Sequence, residues 1–212
     1  MGNEHRRLRP ALLCPLQRHD PATGRGTTHL VDALLPLGHE VLSIDDFSTG
    51  KEANLLSARA NGARIAALDI RDPVKLADAV RESRPEVIFH LAAHKDVRKS
   101  VLNPSLDART NIEGTINVLE AARLAGARVI NVSTGGAIYG HTRVLPTSEH
   151  VAAMPLAPYG LSKYCAEQYV RLYGRLFETQ GVTARLGNVY GPRQDPLGEA
   201  GVIAIFCGLA VR

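Results

Sequence analysis

The chain has 212 residues, of which 45% are hydrophobic, and a formal net charge of +4. This length and composition suit one α/β domain with a sizeable core, or one domain and part of a second, and exclude disordered and fibrous proteins. Residues 1–25 contain five arginines against two acidic residues, a net of +3, so the other residues carry only +1. The lack of a basic stripe argues against a nucleic-acid partner. No apolar run approaches the ~20 residues of a membrane helix, so no membrane association is expected.

The spacing of the cysteines bears on redox state and metal binding. Cys14, Cys165 and Cys207 lie far apart, and their spacing is not that of metal ligands. The pattern predicts reduced thiols, a cytoplasmic location and no metal centre.

The N-terminal part of the chain has the least regular pattern. Residues 11–13 predict a short strand, although Pro10 and Pro15 flank it and proline disfavours a central strand. Residues 21–26 predict a turn, and the apolar spacing over 29–37 predicts a helix.

The rest of the chain alternates predicted strands with predicted helices. The strands cover residues 40–44, 63–68, 86–91, 128–132 and 182–186. The helices cover residues 72–83, 111–125 and 158–178. This alternation predicts an α/β fold with a doubly wound, Rossmann-like parallel sheet. Ligands bind at the carboxyl ends of strands in such sheets, and polar or glycine-rich segments follow the predicted strands.

An aspartate after the second predicted strand indicates a dinucleotide site. Asp45 lies 21 residues after Gly24, and dinucleotide-binding folds place a ribose-binding acid about 20 residues beyond the glycine turn. A carboxylate there accepts hydrogen bonds from the ribose and repels a 2′-phosphate, which favours NAD over NADP. The alternative is an aspartate that only caps a loop.

A tyrosine and a lysine one helical turn apart indicate acid–base chemistry. Tyr159 and Lys163 project from the same face of the helix over 158–178. A phenol titrates near ~10, and a neighbouring ammonium stabilises the phenolate. The alternative is a helix with one exposed tyrosine and one exposed lysine. An apolar stripe is predicted to face the core; its members are Leu161, Cys165, Tyr169, Leu172 and Leu176.

Seven segments in order resemble the extended short-chain dehydrogenase/reductases. They are HLVDALLPLGHEVLSIDDFSTGKEANL, ALDIRD, VIFHLAAHKDV, NIEGTINVLEAA, NVSTGGAIYG, PYGLSKYCAEQY and RLGNVYGPRQDP. The resemblance is to the NAD-dependent epimerase/dehydratase family, and within it to nucleotide-sugar epimerases of the UDP-glucose 4-epimerase type. It implies NAD as cofactor, a UDP-hexose substrate, reversible hydride transfer at C4 and a homodimer.

The resemblance also implies roles for individual residues. The implied cofactor-binding residues are Gly24, Asp45, Asp46, Asp69, Ile70, Leu91, Ala92, Ala93, Lys95, Asn111, Ser133, Tyr159 and Lys163. Tyr159 is the implied base and Lys163 its electrostatic partner, and both contact substrate or cofactor. Asn188 is implied to contact the nucleotide sugar.

The catalytic hydroxyl of the family must come from the segment over 133–136. Counting back from Tyr139, its usual position falls on Gly135, and one extra residue in the loop places it on Thr134. Thr134 is preferred as catalytic and substrate-binding residue, since glycine has no hydroxyl, while Ser133 can equally be a residue of the strand end. Family dehydratases carry an acidic pair after this threonine, whereas glycines follow it here, so no acid for elimination is available.

The two ends of the chain depart from the family pattern. The GxxGxxG fingerprint aligns with Pro21, Gly24 and Thr27, so only one of its glycines is present. The expected organisation is therefore a divergent segment over 1–28, an NAD-binding domain with the catalytic helix over 29–186, and the start of a largely missing substrate domain over 187–212. The divergent start suggests a frameshift upstream of residue 29. The alternatives are another nucleotide-sugar epimerase or reductase, or a catalytically impaired fragment of such an enzyme.

Overall fold

The computed structural model describes residues 10–13, 27–48, 52–191 and 202–210. The strands are β1 Pro10–Leu13, β2 Leu42–Asp45, β3 Arg64–Ala67, β4 Val87–His90, β5 Arg128–Thr134 and β6 Gly181–Leu186. The α-helices are α1 Thr27–Leu34, α2 Leu56–Ala60, α3 Pro73–Ser83, α4 Val97–Leu102, α5 Pro104–Ala108, α6 Gly114–Ala125, α7 Gly135–Ile138, α8 Pro158–Phe177 and α9 Val202–Ala210. Two 3₁₀ turns, Leu35–Leu37 and Glu52–Leu55, and a π turn, Arg109–Glu113, complete the regular structure.

All six strands form one parallel sheet in the order β3-β2-β1-β4-β5-β6. This is the strand order of a doubly wound dinucleotide-binding sheet, and it confirms the predicted fold class. The chain reverses direction across the sheet between β1 and β4, which pair with each other. Crevices at such a reversal are where these sheets bind ligands.

The central strand β1 forms although it contains a proline. Pro10 is its first residue and pairs with Val87, and Leu13 pairs with both Ile44 and His90. Proline is tolerated at the first position of a strand, where its missing N–H matters least. Pro15 and Gly24 lie outside the described residues.

The core has two parts on opposite faces of the sheet. Ile88 of β4 packs in a cluster with residues of α3, α6 and α8. Phe89, the next residue, packs instead against a cluster built from α1 and α2 around Val31 and Ala58. Because successive strand residues point to opposite faces, helices cover both sides of this sheet.

The predicted core stripe of α8 is wrong at its two ends. Leu161 and Leu176 are 52% and 61% exposed, whereas Tyr169 in the middle of the stripe is half-buried and packs against the core. The buried face instead includes Lys163, Glu167 and Val170. Glu167 is buried in an ion pair with Arg185, and Lys163 is buried near the negative charges of Glu167 and Asp107. The apolar spacing of the sequence therefore misidentified the inner face of the helix.

The helix predicted over 111–125 begins earlier in the structure. Asn103 caps α5, its side chain accepting a hydrogen bond from the N–H of Leu106, and Pro104 takes the first helical position, where proline is favoured. The helix then passes through the π turn Arg109–Glu113 into α6. Helix α4 was also not predicted. Among the described residues, no helix has both the length and the apolarity needed to cross a membrane.

Candidate active site

The predicted site residues follow the carboxyl ends of neighbouring strands. Asp45 is the last residue of β2, and Thr134 is the last residue of β5. Asp69 follows β3, Leu91 follows β4, and Asn188 follows β6. Because all six strands are parallel, these positions lie along the same edge of the sheet. Gly24 alone among the predicted residues lies outside the described ranges.

Acidic side chains mark the β2–β3 end of this edge. Asp45 is buried and accepts a hydrogen bond at Oδ1 from the N–H of Phe47, at 2.8 Å. Asp46 accepts from the N–H and the hydroxyl of Ser48, at 3.0 and 2.7 Å. Both carboxylates are therefore held by the turn that leaves the strand.

Asp69 is held by an arginine two residues later. Arg71 Nε lies 3.0 Å from Oδ1 and 2.9 Å from Oδ2 of Asp69. This hydrogen bonding lowers the pKa of Asp69 and raises that of Arg71.

Ile70, the residue between them, is buried against Gly114, where a Cβ would lie only 2.5 Å from Ile70 Cδ1. A glycine at this position lets α6 approach the segment after β3.

The Asn111 side chain joins the loop after β4 to α8. Its Oδ1 accepts from the N–H of His94 at 2.7 Å, which fixes which end of the amide is the carbonyl. Its Nδ2 lies 2.9 Å from the His94 carbonyl, 3.0 Å from Ser162 Oγ and 3.1 Å from Asp107 Oδ1. Ser162 in turn donates to the carbonyl of Tyr159 at 3.0 Å. Asn111, which lies in the π turn, therefore links the loop after β4 to α8.

Tyr159 lies beside Thr134. Burial raises the pKa of the Tyr159 phenol, and the neighbouring Thr134 side chain opposes this rise to a smaller extent. The backbone N–H of Tyr159 donates to Ser100 Oγ at 3.1 Å. Gly135 offers no such side chain, and Ser133 Oγ is buried without a hydrogen-bond partner among the described residues. Thr134 is therefore the residue of this segment whose side chain lies beside Tyr159.

Lys163 is buried, with 3% of its surface exposed, so the alternative of a solvent-facing lysine is wrong. Burial lowers its pKa to about 8, against the opposing effects of Glu167 and Asp107. The Lys163 ammonium is therefore a stronger acid than that of an ordinary lysine, and it releases its proton closer to neutral pH.

His90 is a buried neighbour that the sequence did not indicate. Burial and the charge of Lys163 lower the pKa of His90 to about 3, so its ring is neutral. Thr115 donates its hydroxyl proton to the carbonyl of Asn111 at 2.6 Å, and it therefore accepts from His90 Nε2–H at 2.9 Å. The only sequence signal for His90 is its position near the end of the strand predicted over 86–91.

Glu167, Arg185 and Tyr139 form a second group that the sequence did not indicate. Arg185 of β6 makes a buried ion pair with Glu167 and also donates to the hydroxyl of Tyr139 at 2.7 Å. The four-residue spacing from Lys163 to Glu167 is a sequence signal that could have indicated that both lie on one helical face.

Gly160 brings α8 close to α7, since a Cβ there would overlap the carbonyl oxygen of Ala137.

The chain is similar to a known family and to several known proteins. The model described as "NAD dependent epimerase/dehydratase family" matches residues 22–209. The UDP-glucose 4-epimerase of Mycolicibacterium smegmatis is 46% identical over 179 residues, which are 84% of this chain and 57% of that protein.

Two solved structures are also similar. The crystal structure of UDP-glucose 4-epimerase from Thermotoga maritima with UDP-glucose has a TM-score of 0.83 and 39% identity, over 92% of this chain and 61% of that one. The Thermus thermophilus UDP-glucose 4-epimerase in complex with NAD has a TM-score of 0.81 and 39% identity, over 93% of this chain and 61% of that one. The chain spans less than two thirds of the length of these three proteins. The family match covers most of the chain, and the chain therefore belongs to the NAD dependent epimerase/dehydratase family.

Proposed function

We propose that this chain carries the cofactor half and the catalytic helix of an NAD-dependent nucleotide-sugar epimerase. The proposed reaction interconverts UDP-glucose and UDP-galactose by reversible hydride transfer at C4. The observation that carries the proposal is the placement of Tyr159 beside Thr134 at the carboxyl edge of the sheet, one helical turn before the buried Lys163. The names of the similar epimerases support the choice of substrate.

The residues at the edge of the sheet fit NAD. Asp45 and Asp46 are carboxylates at the end of β2, suited to accept hydrogen bonds from the adenosine ribose and to repel a 2′-phosphate. Ser133 Oγ is buried and has no partner among the described residues, so a polar group of a ligand can satisfy it. Further proposed cofactor contacts are Asp69, Ile70, Leu91, Ala92, Ala93, Lys95 and Asn111. Gly24 is the proposed remnant of the pyrophosphate turn.

In the proposed chemistry Tyr159 transfers a proton, and Thr134 and Lys163 support that transfer. NAD, when bound, would supply the reversible acceptance of hydride from C4 of the sugar. Tyr159 takes the proton of the C4 hydroxyl and later gives it back. Thr134 hydrogen-bonds the same hydroxyl, and Lys163 stabilises the phenolate. Gly135 and Gly136 follow Thr134, so no acid is placed there to eliminate water, which favours epimerisation over dehydration.

We further propose a homodimer, a contact between Asn188 and the nucleotide sugar, and a cytoplasmic location. Helices α4 and α8 contact each other, and Val101, Leu102 and Leu161 on them are exposed. Exposed apolar side chains on neighbouring helices support a self-association surface. Cys165 and Cys207 are free thiols, which supports a reducing compartment.

Tyr159→Phe tests the proposed function. Epimerisation of UDP-galactose is followed by coupling the UDP-glucose formed to its dehydrogenase, and NAD binding is followed by calorimetry. We expect turnover to fall roughly 10²–10⁴-fold, because a positioned base contributes that much, while NAD still binds. Tyr164→Phe on the same helix is the control and should keep parental turnover. Turnover of Tyr159→Phe within a few-fold of the parent rejects the role.

A second candidate function is NAD binding without turnover. The observation that favours it is the fingerprint, in which Pro21 and Thr27 replace two of three glycines. NAD binding with no turnover on any nucleotide sugar tested would support this reading. Turnover on another nucleotide sugar, but not on UDP-galactose, would instead identify a different epimerase or reductase of the family.

A further inference from the structure

A buried ion pair lies one helical turn beyond Lys163. Glu167 is 1% exposed and its partner Arg185 is 13% exposed. Arg185 Nε lies 2.9 Å from Oε1 of Glu167, and Nη2 lies 2.6 Å from Oε2. The guanidinium therefore engages both carboxylate oxygens in the forked geometry that only arginine provides.

The guanidinium is held from a second side. Its Nη1 donates to the hydroxyl of Tyr139 at 2.7 Å and lies 3.4 Å from the carbonyl oxygen of Glu149. Tyr139 directly follows α7, which starts at the residue after Thr134. One side chain of β6 thus connects the helix of Tyr159 and Lys163 with the segment that carries Thr134.

Glu167 has a second cation within reach along its own helix. Lys163 precedes it by four residues, a spacing at which acidic and basic side chains form ion pairs. The groups whose charges act on Lys163 are Glu167 and Asp107, and His90 is the neutral ring beside it. A Glu167 carboxylate without Arg185 would therefore turn to Lys163, and Lys163 would no longer be free to serve Tyr159.

We propose that Arg185 is a positioning residue of the catalytic centre, which occupies the Glu167 carboxylate and so leaves the Lys163 ammonium for Tyr159. This proposal rests on the proposed function for its catalytic consequence. Its structural content, the competition between Arg185 and Lys163 for one carboxylate, does not depend on which sugar is the substrate.

The titration of the Lys163 side chain tests the competition directly. The lysines of the chain are few enough for each Nζ to be assigned by ¹⁵N NMR: Lys51, Lys75, Lys95, Lys99 and Lys163. In the parent, Lys163 should titrate near 8. In Arg185→Gln its pKa should rise, because the released carboxylate stabilises the ammonium. In the double variant Glu167→Gln/Arg185→Gln it should return to the parental value or below, because no carboxylate remains.

Arg185→Lys distinguishes the effect of the bidentate hydrogen bonds of Arg185 from the effect of its positive charge. It keeps a positive charge but cannot hold both carboxylate oxygens and Tyr139 together, so the pKa of Lys163 should rise by less than in Arg185→Gln. A pure charge effect would instead leave Arg185→Lys at the parental value. If Arg185→Gln does not fold, Arg185→Lys and the double variant carry the test.

Turnover is the second readout. Arg185→Gln should lose roughly 10²-fold, as expected for a displaced catalytic group, and the double variant should regain most of that loss. Arg123→Gln removes an arginine from a surface pair with Glu120 and should change neither readout. An unchanged Lys163 titration in both Arg185 variants, or a double variant that titrates like Arg185→Gln, overturns the proposal. A parent without turnover rejects the proposed function and leaves the titration valid.

Discussion

Replacing Lys163 with methionine should stabilise the folded protein at neutral pH while it removes the proposed catalytic cation. Burial lowers the pKa of Lys163 from 10.5 to about 8. That difference corresponds to about 3 kcal/mol, because one pH unit in a pKa is worth ~1.4 kcal/mol. The unfolded chain binds more protons than the folded one between pH 8 and 10.5, so stability rises with pH across this interval. Below pH 8 the buried ammonium therefore costs the full amount, and methionine, which is uncharged and of similar length, avoids it.

The assay is urea unfolding followed by circular dichroism at pH 7 and pH 10. The free energy of unfolding of Lys163→Met should exceed that of the parent by about 3 kcal/mol at pH 7 and by only about 1 kcal/mol at pH 10, where Lys163 in the folded parent is mostly neutral. Lys75→Met is the matched control, since that side chain is 74% exposed, and it should lie within ~0.5 kcal/mol of the parent. A variant no more stable than the parent at pH 7, or a difference that does not shrink by pH 10, would refute a lowered pKa at Lys163.

Three further changes have defined outcomes. Asp45→Ala should weaken NAD binding and relax the discrimination against NADP, since the carboxylate that repels a 2′-phosphate is lost; an unchanged preference in a binding titration would remove Asp45 from the site. Replacing residues 21–27 with a GxxGxxG turn, together with an apolar strand before it, should raise the melting temperature and the NAD affinity, and a parent that already melts cooperatively and is stabilised by micromolar NAD would contradict this. Gly114→Ala should lower the free energy of unfolding by about 1–3 kcal/mol, because its Cβ would press on Ile70, and chemical denaturation measures the loss.

Most of the sheet could be predicted because its strands are short apolar runs that end in polar residues. The strand predicted over 86–91 contains β4, and the strand predicted over 128–132 covers the first five residues of β5. The strand β1 was harder to predict, because its proline is acceptable only at the first position, and the position depends on pairing with strands far along the chain. Helix α5 was missed because its start depends on the Asn103 cap and on Pro104 rather than on an apolar period.

The candidate site was predictable where a residue type and its spacing carry chemistry. Tyr159, Lys163 and Asp45 stand out in this way, although their roles stay predictions. The inner face of α8 was not predictable from apolar spacing, because burial of Lys163 and Glu167 depends on partners in other elements. Arg185 lies eighteen residues after Glu167 in sequence and meets it only through the pairing of β6 with β5 and the packing of α8.

The π turn Arg109–Glu113 places one extra residue between α5 and α6 without turning either helix away from the core. An α-helix advances by about 100° per residue, and a π turn absorbs its extra residue within one wider turn. Asp107 before the turn and Val118 after it are both buried. Deleting one residue within the turn would therefore restore a regular helix with both flanks still facing the core, but it would remove or displace Asn111, whose side chain joins the loop after β4 to α8. The extra residue thus matters for the placement of Asn111 and not for the burial of the flanking helices.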